Sequence, residues 1–250
     1  MSKIEDLLEF MQTEAIMNQS VIIVIATYNE ADNIRQVLNG LSDYSVIVVD
    51  DNSPDGTGDI ATGYSNVTVI HRESKMGLAS AYLCGFQKAL TRQPQYIVQM
   101  DAGLTHDPTD VPHLVSLAEG LAESREGLLV TGSRFYYSSP FLSIRTVISL
   151  AATWITRNLL DVPIRDATCG FRCWPAALLK SILESNNYQT RAQGHAWQIE
   201  MLYHAWQRRK AIAEVAIEYR LTNSSLKPAE LIEALRTCWA LWREHRKRRR

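Results

Sequence analysis

Carboxylates follow two strand-like runs of this 250-residue chain at the same relative place. Asp50 and Asp51 come directly after the apolar run 46–49, and Asp101 ends the run 96–101. Continuous apolar runs are typical of strands that are buried on both faces of a parallel sheet. Ligands of open α/β sheets bind at the carboxyl ends of the strands, where these acids could bind the ribose and base of a nucleotide. The alternative is a turn with solvated acids.

Strand-like and helical patterns alternate along the chain. This alternation predicts an α/β fold, with a mainly parallel sheet and helices on both faces. One domain is expected over 20–227, between an amphipathic N-terminal helix within 1–19 and an amphipathic helix with a basic tail at 228–250. The strand-like runs are 21–26, 46–50, 67–71, 96–101, 128–132 and 212–219, and the helical patterns are about 30–42, 55–63, 77–91, 110–123, 143–160, 175–185, 194–209 and 228–245.

Composition and motifs exclude several classes of protein. The four cysteines and the lack of a secretory leader suggest a reducing, cytoplasmic location, and Cys169 and Cys173 lack the second Cys/His pair that zinc would need. The turn after the first strand has no glycine, which argues against a dinucleotide fingerprint, and no P-loop motif occurs. No apolar run is long enough to span a bilayer.

Basic charge is concentrated at the C-terminus. Residues 243–250 hold six of the 26 Lys and Arg residues, whereas the net charge of the chain is −1. One face of the preceding helix carries Leu231, Leu235, Cys238, Trp239 and Trp242. Tryptophan beside a polybasic run predicts an interfacial helix on an anionic membrane surface. The alternative is a core-packing helix with a solvated tail, and nucleic acid is not expected as a partner because no aromatic and basic platform accompanies the tail.

The order of several motifs resembles one family. ATYNEADNI, VVDDNSPDGTGDIA, VIHRESKMGLASAYLCGF, MDAGLTHDP, GSRF and DATCGFR together resemble a family 2 glycosyltransferase of GT-A fold. Within that family, they look most like the polyprenyl-phosphate (dolichyl-phosphate) mannosyltransferases. The resemblance covers about residues 20–226, and it implies a nucleotide sugar as donor and a polyprenyl phosphate lipid as acceptor.

The resemblance implies a set of nucleotide-sugar-binding residues. A carboxylate suits ribose hydroxyls because it is an acceptor that makes short, charge-assisted hydrogen bonds. Asp50 is expected to be structural and to bind nearby turn amides. The implied binding residues are Ala26 (where the family usually has proline), Tyr28, Glu30, Val49, Asp51, Asp101, Ala102, Arg134 and Arg220.

The metal motif implied by the resemblance is incomplete. Asp101 matches the first acid of the family's DxD motif, which binds Mg²⁺ or Mn²⁺ against the donor diphosphate. The second acid is replaced by Gly103, and Thr105 replaces another polar residue of that loop. We therefore expect Mg²⁺ or Mn²⁺ at a weakened site, with more of the diphosphate charge offset by cationic side chains.

Arginines supply the remaining implied contacts. Arg134 and Arg145 match phosphate-gripping arginines and, with Asp101, are the expected catalytic residues. Arg220 matches another, but the lysine that follows it in the family falls on Leu226, beside Lys227. The segments around Arg172 and Glu200 resemble the acceptor side, although structural roles fit these two residues about as well.

The implied reaction is an inverting transfer of a hexose, mannose from GDP-mannose, to a polyprenyl phosphate by a peripheral protein at the cytoplasmic membrane face. The acceptor phosphate is already an anion, so no general base is required, and positioning with electrostatic stabilisation of the leaving group suffices. The alternatives are another donor or acceptor, and a non-catalytic protein that binds a sugar nucleotide or a lipid phosphate.

Overall fold

The computed structural model describes residues 20–122, 128–135, 144–185, 188, 190–209, 211–218 and 228–249. The N-terminal helix predicted within 1–19 lies outside these residues.

A seven-stranded sheet forms the centre of the fold, in the order β3-β2-β1-β4-β6-β5-β7. Strands β3, β2, β1 and β4 run parallel to one another, and β5 runs parallel to β7, whereas β6 is antiparallel to both β4 and β5. The predicted mainly parallel sheet is therefore confirmed. The strands are β1 Val21–Thr27, β2 Ser45–Asp50, β3 Val67–His71, β4 Tyr96–Asp101, β5 Leu129–Ser133, β6 Arg172–Pro175 and β7 Ile212–Ala216.

Eight α-helices are described, and each corresponds to a predicted helical pattern. Their ends fall within about three residues of the predicted ends because apolar periodicity is strong between clear turn signals. They are α1 Ala31–Asn39, α2 Thr57–Thr62, α3 Leu78–Leu90, α4 Val111–Ala122, α5 Ile144–Leu159, α6 Ala176–Leu183, α7 Trp197–Arg209 and α8 Pro228–Arg248.

The core lies on both faces of the sheet. Along β1, Ile22 and Val24 belong to one buried cluster with α3, α6 and α7, whereas Ile23 and Ile25 belong to the other with α1 and α4. Alternate residues of a strand point to opposite faces, so both sets are buried only when helices cover both faces. This arrangement leaves the carboxyl ends of the central strands as the edge where a ligand can bind.

Strand β6 is the element that the sequence patterns did not predict. It has four residues and includes Arg172, which is fully buried in the sheet. A short run with a charged residue inside it gives no apolar alternation. Its insertion between β4 and β5 makes the sheet mixed rather than wholly parallel.

The C-terminal helix α8 runs three residues further than predicted and takes in part of the basic segment. It packs against α7 and α5. Among the residues that the structure describes, no helix has the length and apolar character needed to cross a membrane.

Candidate active site

Three neighbouring strand ends bring the predicted residues to one edge of the sheet. Ala26 of β1 lies opposite Val49 of β2 and opposite Asp101 of β4. The loop after β1 carries Tyr28 and Glu30, and Asp51 directly follows β2. The sequence prediction that these acids share one site is consistent with this register.

The loops after β1 and β2 are joined by hydrogen bonds. Ser53 Oγ accepts from the Asn29 N–H (3.0 Å), Asp55 from the Ala31 N–H (3.0 Å) and Thr57 Oγ1 from the Glu30 N–H (2.9 Å). These side chains bind N–H groups at the start of α1, which a helix cannot satisfy internally. The turn after β2 therefore fixes the backbone that carries Tyr28 and Glu30.

The paired acids at the end of β2 have different partners. Asp50 is buried and accepts hydrogen bonds from the Ser53 hydroxyl and N–H. This is the structural role expected for Asp50. Asp51 is also buried and forms a 2.6 Å ion pair with Arg72, whose guanidinium also donates to Ser80. Asp51 would thus bind a nucleotide while it also remains paired with Arg72.

A cation covers the aromatic ring of the first loop. The ammonium nitrogen of Lys75 lies 3.6 Å from the ring centroid of Tyr28. Both residues are exposed. A cation at this distance is attracted by the ring's negative face. Lys75 therefore adds a positive charge at the part of the site where the nucleotide is expected.

Asp101 is oriented by two side chains. The Tyr82 hydroxyl lies 2.9 Å from both the Asp101 carboxylate and the Met100 carbonyl, and the backbone N–H of Asp101 donates to His106 Nδ1 (3.2 Å). Burial, followed by the Asp101 charge, raises the pKa of Tyr82 well above its usual value, and burial lowers the pKa of His106. Both groups are therefore neutral at pH 7, and the side chain of Asp101 is 40% exposed.

Glu30 lies beside the place where the second acid of the metal motif is missing. Its carboxylate faces Gly103, and Asn33 donates a 2.8 Å hydrogen bond to it. Burial, with a smaller contribution from Asp101, raises the pKa of Glu30. In the described part of the chain no group of three or more metal-binding side chains exists. Carboxylate oxygens nevertheless fit a hard divalent cation, whose coordination a diphosphate and water would complete.

Arg134 is held in a buried ion pair. Its Nε and Nη2 donate to the two oxygens of Asp166 at 2.6 and 2.7 Å, and Asp166 is fully buried. Thr168 accepts a further hydrogen bond from Nη2. The phosphate-gripping role of Arg134 stays a prediction, because most of its donors are occupied within the protein.

The two acceptor-side candidates are internal. Arg172 is fully buried, donates to the carbonyls of Gln198 (2.7 Å) and Ala167 (3.2 Å), and has a pKa lowered by burial to about 10. Glu200, also fully buried, accepts from the N–H groups of Arg191 and Ala192. These contacts support the structural roles that the sequence left open for both residues.

Some predicted site residues are buried, and others lie outside the described structure. Val49 and Ala102 are buried in the core, and Ala26 is partly buried. Arg145 lies in the first turn of α5, but its side chain is outside the described structure, as is the whole of Arg220. Their roles stay predictions.

Four residues that shape the site were not predicted from the sequence. Arg72 and Lys75 lie in the motif HRESKMGLASAY, which also contains Tyr82, and His106 lies in DAGLTHDP. Both motifs contributed to the family resemblance, so their polar residues could have been considered as candidates for the site. The partner of each residue depends on contacts between distant segments, which spacing alone does not give.

Comparisons with known proteins agree with this architecture. The model of the Glycosyl transferase family 2 matches residues 22–184. The chain is 32% identical over 232 residues (87% of this chain, 84% of the relative) to a polyprenol monophosphomannose synthase from Mycolicibacterium smegmatis. It is 34% identical over 211 residues (80% and 83%) to an undecaprenyl-phosphate mannosyltransferase from Micrococcus luteus.

A solved structure shares the fold. GalNAc-T7, crystallised with UDP, GalNAc and Mn²⁺, superposes with a TM-score of 0.58 at 15% identity, over 90% of this chain and 48% of that chain. This chain therefore spans about half of that structure. On the family match and the two relatives, this chain belongs to glycosyl transferase family 2.

Proposed function

We propose that this protein transfers mannose from GDP-mannose to a polyprenyl phosphate, with inversion at the anomeric carbon. The observation that carries the proposal is the meeting of Glu30, Asp51 and Asp101 at three adjacent strand ends, in a family 2 chain. The two curated relatives, whose names specify mannosyl transfer to polyprenyl phosphates, support the choice of sugar and acceptor.

The chemistry needs no proton transfer. An oxygen of the acceptor phosphate attacks C1 of mannose, the bond between C1 and the diphosphate oxygen breaks, and GDP leaves with the bonding electrons. The acceptor oxygen already carries negative charge, so the protein's contribution is alignment and stabilisation of the leaving group. Bound Mg²⁺ or Mn²⁺ would offset the charge of the leaving diphosphate. Asp101 would hold that metal, with Arg134, Arg145 and Arg220 as further candidates for phosphate contacts.

The nucleotide would occupy the edge formed by β1 and β2. Tyr28 and Lys75 are exposed there, and Asp51 offers acceptor oxygens to the ribose. Lys75 over the Tyr28 ring gives this end of the cleft a positive charge next to a flat aromatic surface. Such a pair suits a base that stacks and a diphosphate that needs a cation.

The acceptor implies a membrane surface. Ten large hydrophobic side chains are exposed in the described part of the chain, and all but Tyr28 and Met76 belong to α5 and α8. These helices pack against each other. On α8, Arg243 and Arg246 lie over the rings of Trp239 and Trp242, at 4.7 and 4.9 Å. Apolar side chains next to arginines favour peripheral binding to an anionic, cytoplasmic membrane face.

A panel of sugar nucleotides tests the donor. With Mg²⁺ or Mn²⁺ and GDP-mannose at about 100 times its Kd, we expect the thermal midpoint to rise by roughly 5–10 °C, since such occupancy stabilises by about 2.7 kcal/mol. UDP-glucose, UDP-galactose and UDP-N-acetylglucosamine serve as matched competitors. A larger rise with a UDP-sugar than with GDP-mannose would contradict the mannose assignment and leave family 2 transfer with another donor.

A further inference from the structure

We propose that Glu30 supplies the second protein carboxylate of the metal site, in the place that Gly103 leaves open. This inference rests on the proposed function, because it assumes that a divalent cation accompanies the donor diphosphate. It assigns Glu30 a role different from the nucleotide contact that the family resemblance implies.

The geometry at Gly103 carries the proposal. A Cβ atom at this position would lie 3.1 Å from Oε1 and 3.2 Å from Oε2 of Glu30. Any side chain at 103 would therefore crowd the Glu30 carboxylate. An aspartate side chain at 103 would start next to the carboxylate of Glu30, which follows the neighbouring strand β1. An acidic side chain therefore lies next to this position although residue 103 itself is glycine.

The surrounding charges favour a cation between Glu30 and Asp101. Glu30 follows β1 and Asp101 ends the neighbouring strand β4, so two carboxylates, which repel each other, lie at one edge of the sheet. The hydrogen-bond donor to Glu30 in the described structure, the Asn33 amide, is neutral. The Tyr82 hydroxyl, which orients Asp101, is a hydrogen-bond donor that brings no positive charge to the site. A divalent cation would relieve this repulsion, and hard cations prefer oxygen ligands.

Both carboxylates are held in place before any metal arrives. The backbone of Glu30 is bound to Thr57, and Asn33 binds its side chain from the first turn of α1. Asp101 ends a central strand and is held by Tyr82. Ligands that are fixed by neighbouring hydrogen bonds bind metal more tightly, and losing such support typically costs 10–100-fold in affinity.

Binding of Mn²⁺, followed by the electron paramagnetic resonance signal of free Mn²⁺ with and without GDP, tests this role without an activity assay. We expect Glu30→Gln and Asp101→Asn each to weaken Mn²⁺ binding at least about tenfold. Asp32→Asn is the matched control, because Asp32 is an exposed acid on the same helix. It should leave Mn²⁺ affinity within about twofold.

The same variants separate a metal ligand from a ribose ligand. GDP affinity is measured in EDTA and in Mn²⁺ by calorimetry. If Glu30 binds the metal, Glu30→Gln reduces GDP affinity in Mn²⁺ much more than in EDTA. An equal loss under both conditions, with unchanged Mn²⁺ binding, would overturn the inference and assign Glu30 to the nucleotide alone.

Restoring the family's acid gives an independent outcome. Because Glu30 occupies the adjacent space, we expect Gly103→Asp to weaken Mn²⁺ binding, and Gly103→Ala to weaken it less, in variants whose circular dichroism matches the parent. Tighter Mn²⁺ binding by Gly103→Asp would overturn the proposal. Absence of Mn²⁺ binding by the parent, together with mannosyl transfer in EDTA, would also overturn it while leaving the proposed function intact.

Discussion

Asp101 derives its orientation from Tyr82, which is buried under it. The tyrosine ring stacks on Trp197 at 5.8 Å, and its hydroxyl reaches the Asp101 carboxylate at 2.9 Å. The ring is thus fixed by packing, and the hydroxyl transmits that rigidity to the acid. Residues that orient a catalytic side chain in this way often affect the reaction rate as much as the residues that contact the substrate.

Removing only the Tyr82 hydroxyl tests this support. Tyr82→Phe keeps the stacked ring, so we expect a loss of about 1 kcal/mol in unfolding free energy. The rate constant kcat for mannosyl transfer and the Mn²⁺ affinity should each fall roughly 10–100-fold. Tyr203→Phe is the control, since the Tyr203 hydroxyl is buried with no hydrogen-bond partner in the described structure. Unchanged kcat and metal affinity in Tyr82→Phe would show that Asp101 needs no such support.

Arg134 is predicted to matter first for stability. Arg134→Met leaves Asp166 buried without its cation, and breaking a buried pair from one side typically costs about 3–5 kcal/mol. Urea denaturation measures this loss. The control is Lys180→Met, which removes an exposed ion pair with Glu184 and should cost under about 1 kcal/mol. A stable Arg134→Met protein that no longer binds GDP would instead support the phosphate-gripping role.

At the scale of elements, the loop after β1 and the turn after β2 are joined by hydrogen bonds. The turn after β2 provides side-chain acceptors to the start of α1, through Ser53, Asp55 and Thr57. Its own stability comes from Asp50, which binds Ser53. Asp50 is therefore linked through Ser53 to the backbone of Asn29, the residue before Glu30, whereas Asp51 faces Arg72.

The proposed membrane contact involves α8, as predicted from the sequence, together with α5. Trp154 and Trp239 are 61% and 57% exposed. We expect the protein to sediment with vesicles that contain anionic lipid and to be released by high salt, since Lys and Arg contribute about 1 kcal/mol each at such surfaces. Replacing both tryptophans with serine should reduce vesicle binding at least about tenfold.

The control for vesicle binding is Met76→Ser, which removes an exposed apolar side chain outside the two helices. It should bind vesicles like the parent. Equal binding by the double tryptophan variant and the parent would contradict the assignment of α5 and α8 to the membrane surface.

Apolar patterning was sufficient to predict most elements of this fold. Buried parallel strands such as β1 and β2 are continuous apolar runs, and their boundaries carry turn residues. Strand β6 was missed because tertiary pairing with β4 and β5, rather than its own four residues, makes it a strand. Local patterns cannot report pairing that is imposed from elsewhere.

The site could be predicted only in part for a related reason. Motif spacing placed Asp101, Asp51 and Glu30 at neighbouring strand ends, which the register of β1, β2 and β4 supports. The contact between Glu30 and Gly103, and the pairing of Arg134 with Asp166, join segments that are far apart in the chain. These contacts depend on how the loops pack, so only the structure revealed that one predicted phosphate ligand is paired internally.

At the scale of the whole molecule, the proposed reaction uses two surfaces: the edge of the sheet for the donor, and helices α5 and α8 for the lipid acceptor. The strand ends present carboxylates where the proposed donor would bind, whereas α5 and α8 present exposed apolar side chains that the proposed lipid acceptor would meet. A transferase that joins these two substrates has to bind both at once. The division of the surface into a polar edge and an apolar helical region is what the proposed reaction requires.

The most direct test is transfer itself. Purified protein is incubated with radiolabelled GDP-mannose, a polyprenyl monophosphate in vesicles and Mn²⁺, with Asp101→Asn as the control. The account predicts labelled mannose in the organic phase as an acid-labile mannosyl phospholipid, at least about 100-fold less in Asp101→Asn, where a metal ligand is lost. A well-folded, GDP-mannose-binding protein that leaves no label in the lipid, with any acceptor length or either metal, would contradict it.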